Sequence, residues 1–574
     1  MRRFLFSVLA LTFGCVQEPE FDLIVRGGTI YDGSGGAPYI SDVGIRADSI
    51  AAIGDLRGLS AHHELDAHGL AVAPGFINML SWATESLIID GTSQSDIRQG
   101  VTLEIFGEGV SMGPLNDGMK EDLMRGFVAK LGSEAAVRDL LGLPSDEPLV
   151  LPWTTLREYL DFLVEKGISP NVASFVGATT VRIHELGHED RPPTDVELER
   201  MKALVRQAME EGAVGVGSSL IYAPAFYAET DELLALASVA AEYDGMYISH
   251  LRSEGNRLLE SVDELIGIAR DAGVAAEIYH LKAAGRDNWH KLDAVIERIE
   301  AARAEGLEVT ADMYTYTAGA TGLNAAMPPS VQEGGFAAWR DRLKRESLRD
   351  SLEREMTTPT DEWENLLLAA GPENTLLVGF RSDDLRRYTG RTLAEVSSER
   401  GTSPARTAMD LVVEDSSRVE TVYFLMSEEN VRRQIALPWV SFDSDAGSMA
   451  PEGVFLNTAV HPRAYGNFAR LLGHYIRVEG IIALEEAVRR LTTLPANNLH
   501  LARRGALLPG YFADLAIFDA ATIIDHATFD NPHQYATGMV HVLVNGEVVL
   551  RDGEHTGKLP GRVVERATGR EPLR

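Results

Sequence analysis

The chain has 574 residues, 45% of them hydrophobic and 24% charged, a composition that fits a soluble protein with one large domain and a smaller companion. Asp and Glu number 85 against 53 Lys and Arg, a formal charge of −32, which excludes nucleic acid and anionic membrane surfaces as electrostatic partners. The one cysteine, Cys15, excludes intramolecular disulfides and cysteine-based zinc sites.

In chain order, Arg2 and Arg3 precede the apolar run Phe4–Phe13, which ends in Gly14-Cys15. This is the pattern of a short signal peptide over residues 1–15 with a lipobox-like end, too short to span a bilayer. The expectation is export, to the periplasm or to a membrane anchored through a lipid on Cys15. Thr12 stands where a lipobox usually has Leu, and a plain cleaved signal is the alternative.

Phe21–Gly54 reads as short strands separated by Gly-rich turns. The C-terminal part returns to this style, with strands at Ala513–Phe518 and Val540–Val544. There Asn545-Gly546 before Glu547–Leu550 marks a hairpin. Residues 16–72 and 500–574 are therefore expected to form one small β-sandwich-like domain built from both termini.

The middle, 73–499, alternates helix and strand. Thr194 and Glu197 form a capping box, followed by apolar residues at helical spacing, and Gly212 stops the helix before a strand at Ala213–Leu220. Thr230 is expected to cap the next helix, which leads to a strand at Met246–His250. Helices ending at Gly273 and Gly306 lead to strands at Val274–His280 and Leu307–Tyr314. Further strands fit Val72–Trp82, Val101–Gly107, Asn171–Gly177 and Val440–Asp445, while about 328–403 breaks the rhythm as a mostly helical insertion. Thr421–Met426 is a candidate extra strand. The fold class is α/β, a TIM (β/α)8 barrel.

His250 and His280 fall at the C-terminal ends of consecutive strands, the face where barrel enzymes carry their sites, and both are candidate metal ligands. Asp445 ends the last strand and is a candidate base, with Asp443 competing for the role. Glu108, between Gly107 and Gly109 after the second strand, is either a ligand or a surface-loop residue on this reading.

These segments carry a resemblance. Ala73-Pro74-Gly75-Phe76-Ile77 resembles the amidohydrolase strand that continues into Asp-x-His-x-His. Ser249–Gly255 and His280–Gly285 resemble the zinc-histidine segments of the N-acyl-D-amino-acid deacylases. Ser219–Tyr222, Tyr314–Gly319, His461–Gly466 and Pro509–Leu515 are also similar to that family. The resemblance implies Glu108, His250 and His280 as metal ligands and Asp445 as the catalytic aspartate. It places Tyr222, Lys282 and Tyr314 against the substrate. Arg252 and Arg463 are further candidates for holding a substrate carboxylate.

Strand one departs from the family. Asn78-Met79-Leu80-Ser81-Trp82 stands where Asp-x-His-x-His belongs, so the second, weaker metal site is expected to be absent. Ala178 and Ala320 also replace an expected histidine and serine. The implied activity is hydrolysis of an N-acyl-D-amino acid at one zinc ion per chain, other divalent ions fitting the same ligands. The implied partner is thus a small N-acylated amino acid or peptide-like amide. The alternatives are a related amidohydrolase acting on a peptide-like or cyclic amide, and a non-catalytic ligand-binding lipoprotein.

Overall fold

The computed structural model describes residues 19–567; Cys15 and the signal segment lie outside the described residues. Parallel strands form the barrel. Phe76–Asn78, Val101–Phe106 and Asn171–Ser174 pair in sequence. After Phe175 the third strand resumes as Val176–Gly177 and pairs with Gly215–Ser219, followed by Met246–His250, Ala275–Ile278 and Val309–Ala311. The eighth position holds no continuous strand. Single parallel bridges, Ala311 with Val440 and Ser81 with Ala446, close the ring there.

The helices follow from local signals. Thr194 accepts from the Glu197 backbone N–H and the Glu197 carboxylate accepts from that of Thr194, so Asp195–Glu210 starts on a reciprocal cap. Its Met201, Val205, Ala208 and Met209 are buried, and Gly212, at φ 104°, ends the turn that follows. Thr230 differs from its expectation. It is the first helical residue of Thr230–Ala241, behind Glu229, and its hydroxyl donates to Glu264 at 2.6 Å instead of capping.

The stretch expected as one strand over Val72–Trp82 is split. Ala71–Pro74 belongs to the small domain and Phe76–Asn78 to the barrel. Gly75 is the pivot, because a Cβ there would lie 2.0 Å from Thr102 Oγ1. The small domain is a nine-stranded sheet in which Leu515–Phe518 pairs antiparallel with Ala71–Pro74, joining the two chain ends. Its core mixes Leu23, Val43, Ile45 and Val72 with Leu515, Ile517 and Leu543. The expected hairpin stands at Asn545-Gly546, both with positive φ.

Within 328–403 the insertion is mostly helical, through Gly335–Leu343, Glu346–Thr357, Leu366–Ala370 and Leu393–Arg400. A four-stranded antiparallel-paired sheet of Ala318–Gly322, Glu420–Phe424, Thr375–Gly379 and Arg391–Thr392 runs through it. Two of its strands, Ala318–Gly322 and Glu420–Phe424, fall beyond the expected limits, so the unit spans more than 328–403. The candidate strand at Thr421–Met426 belongs to this sheet and not to the barrel. No helix among the described residues is long and apolar enough to cross a membrane.

Candidate metal centre

Three donors converge at the C-terminal mouth of the barrel. Glu108 Oε1 lies 3.1 Å from His250 Nδ1 and 3.0 Å from His280 Nε2, and the two nitrogens are 3.0 Å apart. His250 is the last residue of its strand, so its position follows from the sheet register. His280 lies two residues past its strand, in left-handed backbone at φ 36°, where its N–H donates to the buried Asp312. Glu108 is brought in by its neighbours. A Cβ on Gly107 would approach Phe175 O to 2.4 Å, and one on Gly109 would approach Ser219 Cβ to 2.6 Å. Only glycine at both places lets this loop lie so deep.

All three side chains are buried. Burial alone would raise the Glu108 pKa, but hydrogen bonds and charge from His250 and His280 hold it well below the usual carboxylate range. Burial and Lys282 oppose charge on His280, yet Glu254 and Glu108 outweigh them and raise its pKa to about 10. The pocket thus draws positive charge inward. Two ring nitrogens 3.0 Å apart, both converging on one carboxylate oxygen, have no good arrangement of protons between them. The donor set and its spacing fit a zinc ion, whose tetrahedral ligands at roughly 2.0–2.2 Å stand about 3.3 Å from one another.

Glu254 was not identified from the sequence, although it lies four residues after His250. Its Oε1 is 3.1 Å from His280 Nδ1 and its Oε2 is 3.6 Å from His250 Nε2, so one carboxylate faces the outer nitrogens of both histidines. Such outer carboxylates fix the ring orientation and tautomer of metal-binding histidines. Lys282 Nζ is 2.6 Å from Glu254 Oε1 and 2.6 Å from His280 Nδ1. The backbone of Glu254 is held in turn by Glu364 of the insertion, which accepts from Glu254 N at 2.6 Å.

Asp445, also left-handed at φ 43°, has Oδ2 at 2.7 Å from Arg463 Nη1. Burial raises its pKa, and Arg463 opposes that rise. Trp82 links it to the triad, with Nε1 at 3.0 Å from Glu108 Oε2 and 3.2 Å from Asp445 Oδ1. Asp443 lies deeper, beside Asp312, and burial with the Asp445 charge raises its pKa to about 7.

The structure brings most of the other candidates to this mouth. The Tyr222 ring meets His250 edge-on at 5.4 Å. The Tyr314 ring has Arg463 over it at 4.5 Å and Lys282 at 5.6 Å. Arg252 is the exception and corrects the expectation. Its guanidinium turns outward to Glu264 at 2.9 Å and to the carbonyl of Ala228 at 2.9 Å. There it lines a separate cavity of about 780 Å³ that none of the triad borders. There Glu264 and the carbonyls of Phe226 and Ala228 accept its N–H donors. Another possible donor cluster among the described residues, Glu428, His474 and Glu479, is already neutralised, because Arg432 donates to Glu479 at 2.7 and 2.9 Å.

Residues 148–550 match the model of the amidohydrolase family. The chain is 33% identical to a D-aminoacylase of Alcaligenes xylosoxydans xylosoxydans over 96% of its own length and 99% of the relative. Among solved structures, a zinc- and phosphonate-bound N-acyl-D-glutamate deacylase from Bordetella bronchiseptica is 30% identical, with a TM-score of 0.76 over 95% of this chain and 99% of that one. A D-aminoacylase whose binuclear metal center shows one-metal activation and second-metal attenuation is 32% identical, with a TM-score of 0.76 over 95% and 100%.

Proposed function

The chain belongs to the amidohydrolase family, and on that footing we propose that it hydrolyses the amide of an N-acyl-D-amino acid, releasing a carboxylate and a free D-amino acid. The observation that carries this reading is the convergence of Glu108 Oε1, His250 Nδ1 and His280 Nε2 beside the carboxylate of Asp445. These three donors would hold one zinc ion. The chemistry zinc supplies when bound there is Lewis acidity toward the scissile carbonyl and acidification of water.

The chain's own residues do the rest. Asp445 accepts the proton of the attacking water and returns it to the departing amine nitrogen. Arg463 orients that carboxylate, and Trp82 ties it to Glu108. Lys282 and Arg463 both set positive charge against the Tyr314 ring, where a substrate carboxylate would be attracted. Tyr222 and Tyr314, whose rings lie against His250 and His280, would contact the substrate there. Export, with a lipid on Cys15, is part of the proposal, and the intact mass of the purified N-terminal peptide tests it.

His250→Ala and His280→Ala test the site itself. Each should lose zinc by elemental analysis and lose turnover while keeping its fold. Normal zinc content in both would remove these residues from the ligand set.

A further inference from the structure

Three positions of strand one are closed to a second cation. Asn78 is a neutral amide bonded to Asp96 at 3.1 Å and to Ser444 at 2.8 and 2.9 Å. Leu80 is fully buried in an apolar cluster with Met79, Ile105 and Phe175. Trp82 differs from both, because it still reaches the site. Its single N–H is shared between the free oxygen of Glu108, at 3.0 Å, and Asp445, at 3.2 Å. No other described hydrogen bond joins these two carboxylates, one from the metal triad and the other the candidate base.

Two carboxylates this close repel each other unless something positive lies between them. A second cation could fill that role; here an indole N–H fills it. We propose that Trp82 is a positioning residue that stands in for a second metal. It holds Glu108 Oε2 away from the triad, so that Oε1 alone is offered, and it keeps Asp445 aimed at the same space. The chain is thereby committed to one cation, and excess zinc finds no second set of donors. This inference rests on the one-metal hydrolase reading above.

The test compares wild type with Trp82→Phe, which keeps an apolar ring but loses the N–H. Metal-free wild type titrated calorimetrically with zinc should bind one equivalent, even with zinc in large excess. Its Trp82 indole ¹⁵N resonance, identified as the one of six missing in the variant, should move on zinc addition. Trp82→Phe should lose about 10- to 100-fold in kcat, the range seen when an outer-shell partner is removed, with KM within about twofold of wild type.

A kcat within about twofold of wild type, an indole resonance indifferent to zinc, or two bound equivalents in wild type would each overturn the proposal. Trp82 is 37% exposed, so its truncation to Phe leaves little cavity. If the variant nonetheless unfolds, the zinc stoichiometry of wild type decides. Failure of the underlying reading looks different: wild type itself would then take up no zinc and release no amine.

Discussion

Each histidine of the triad turns one ring nitrogen toward Glu108 and the other toward Glu254. That second contact makes Glu254 a sensitive residue although it is not one of the three converging donors. Glu254→Gln removes the charge that favours a proton on the outer nitrogens, and zinc affinity should fall about 10- to 100-fold in a competition assay with a chelator. Unchanged affinity would mean that Lys282, not Glu254, sets the ring orientation. Asp445→Asn is the complementary case. It should keep zinc and melting temperature but lose about 100- to 10,000-fold in kcat, the range expected for a general base. Retained turnover would move the role to Asp443, the other carboxyl near the mouth. Glu254 could be suspected from its spacing to His250, but Trp82 could not. An indole is no metal ligand, and only the folded chain shows its N–H between two carboxylates from positions 26 and 363 residues away.

Among the elements, those with periodic signals were legible and those made of single contacts were not. The strand Met246–His250 and the capped helix after Thr194 stand where their alternation and capping box put them. The eighth barrel position reads as a strand in sequence, yet it is closed by isolated bridges, with Asp445 in left-handed backbone at φ 43°. Gly75 divides what reads as one apolar run, since a close approach to Thr102 leaves no mark on hydrophobic pattern. The insertion sheet joins strands far apart in sequence, and a two-residue strand such as Arg391–Thr392 has no periodicity to detect. Loop geometry also carries function. Gly109→Val forces a branched side chain into φ +68° against Ser219. It should lower the melting temperature and release zinc together, because Glu108 is displaced. By contrast, Thr194→Ala should cost about 1 kcal/mol in denaturant unfolding and leave turnover intact. Loss of zinc from that cap variant would show that the helix, not the mouth, governs the site.

For the molecule as a whole, the barrel interior stores protonated carboxyls. Burial raises the Glu277 pKa to about 7, against hydrogen bonds from Thr310, Asn498 and Ser441 that lower it. The unfolded chain releases this proton near the ordinary Glu value of about 4.3. Between that value and about 7 the native state therefore holds more protons than the unfolded one, and stability falls as pH rises through this window. Glu277→Gln cannot ionise, so its stability relative to wild type should improve by about 3 kcal/mol from pH 5 to pH 8. A constant difference across that range would mean that Glu277 is ionised inside the barrel. The joint sheet of both chain ends positions the barrel's first strand through Ala71–Pro74, so small domain and site are parts of one architecture.

The most direct test of the whole account is one preparation of the protein lacking residues 1–15, assayed for zinc per chain and for amine release from paired N-acetyl-D- and N-acetyl-L-amino acids. The expected result is about one zinc per chain with release from the D series only. Release from neither series, or from a preparation free of any divalent metal, would contradict it.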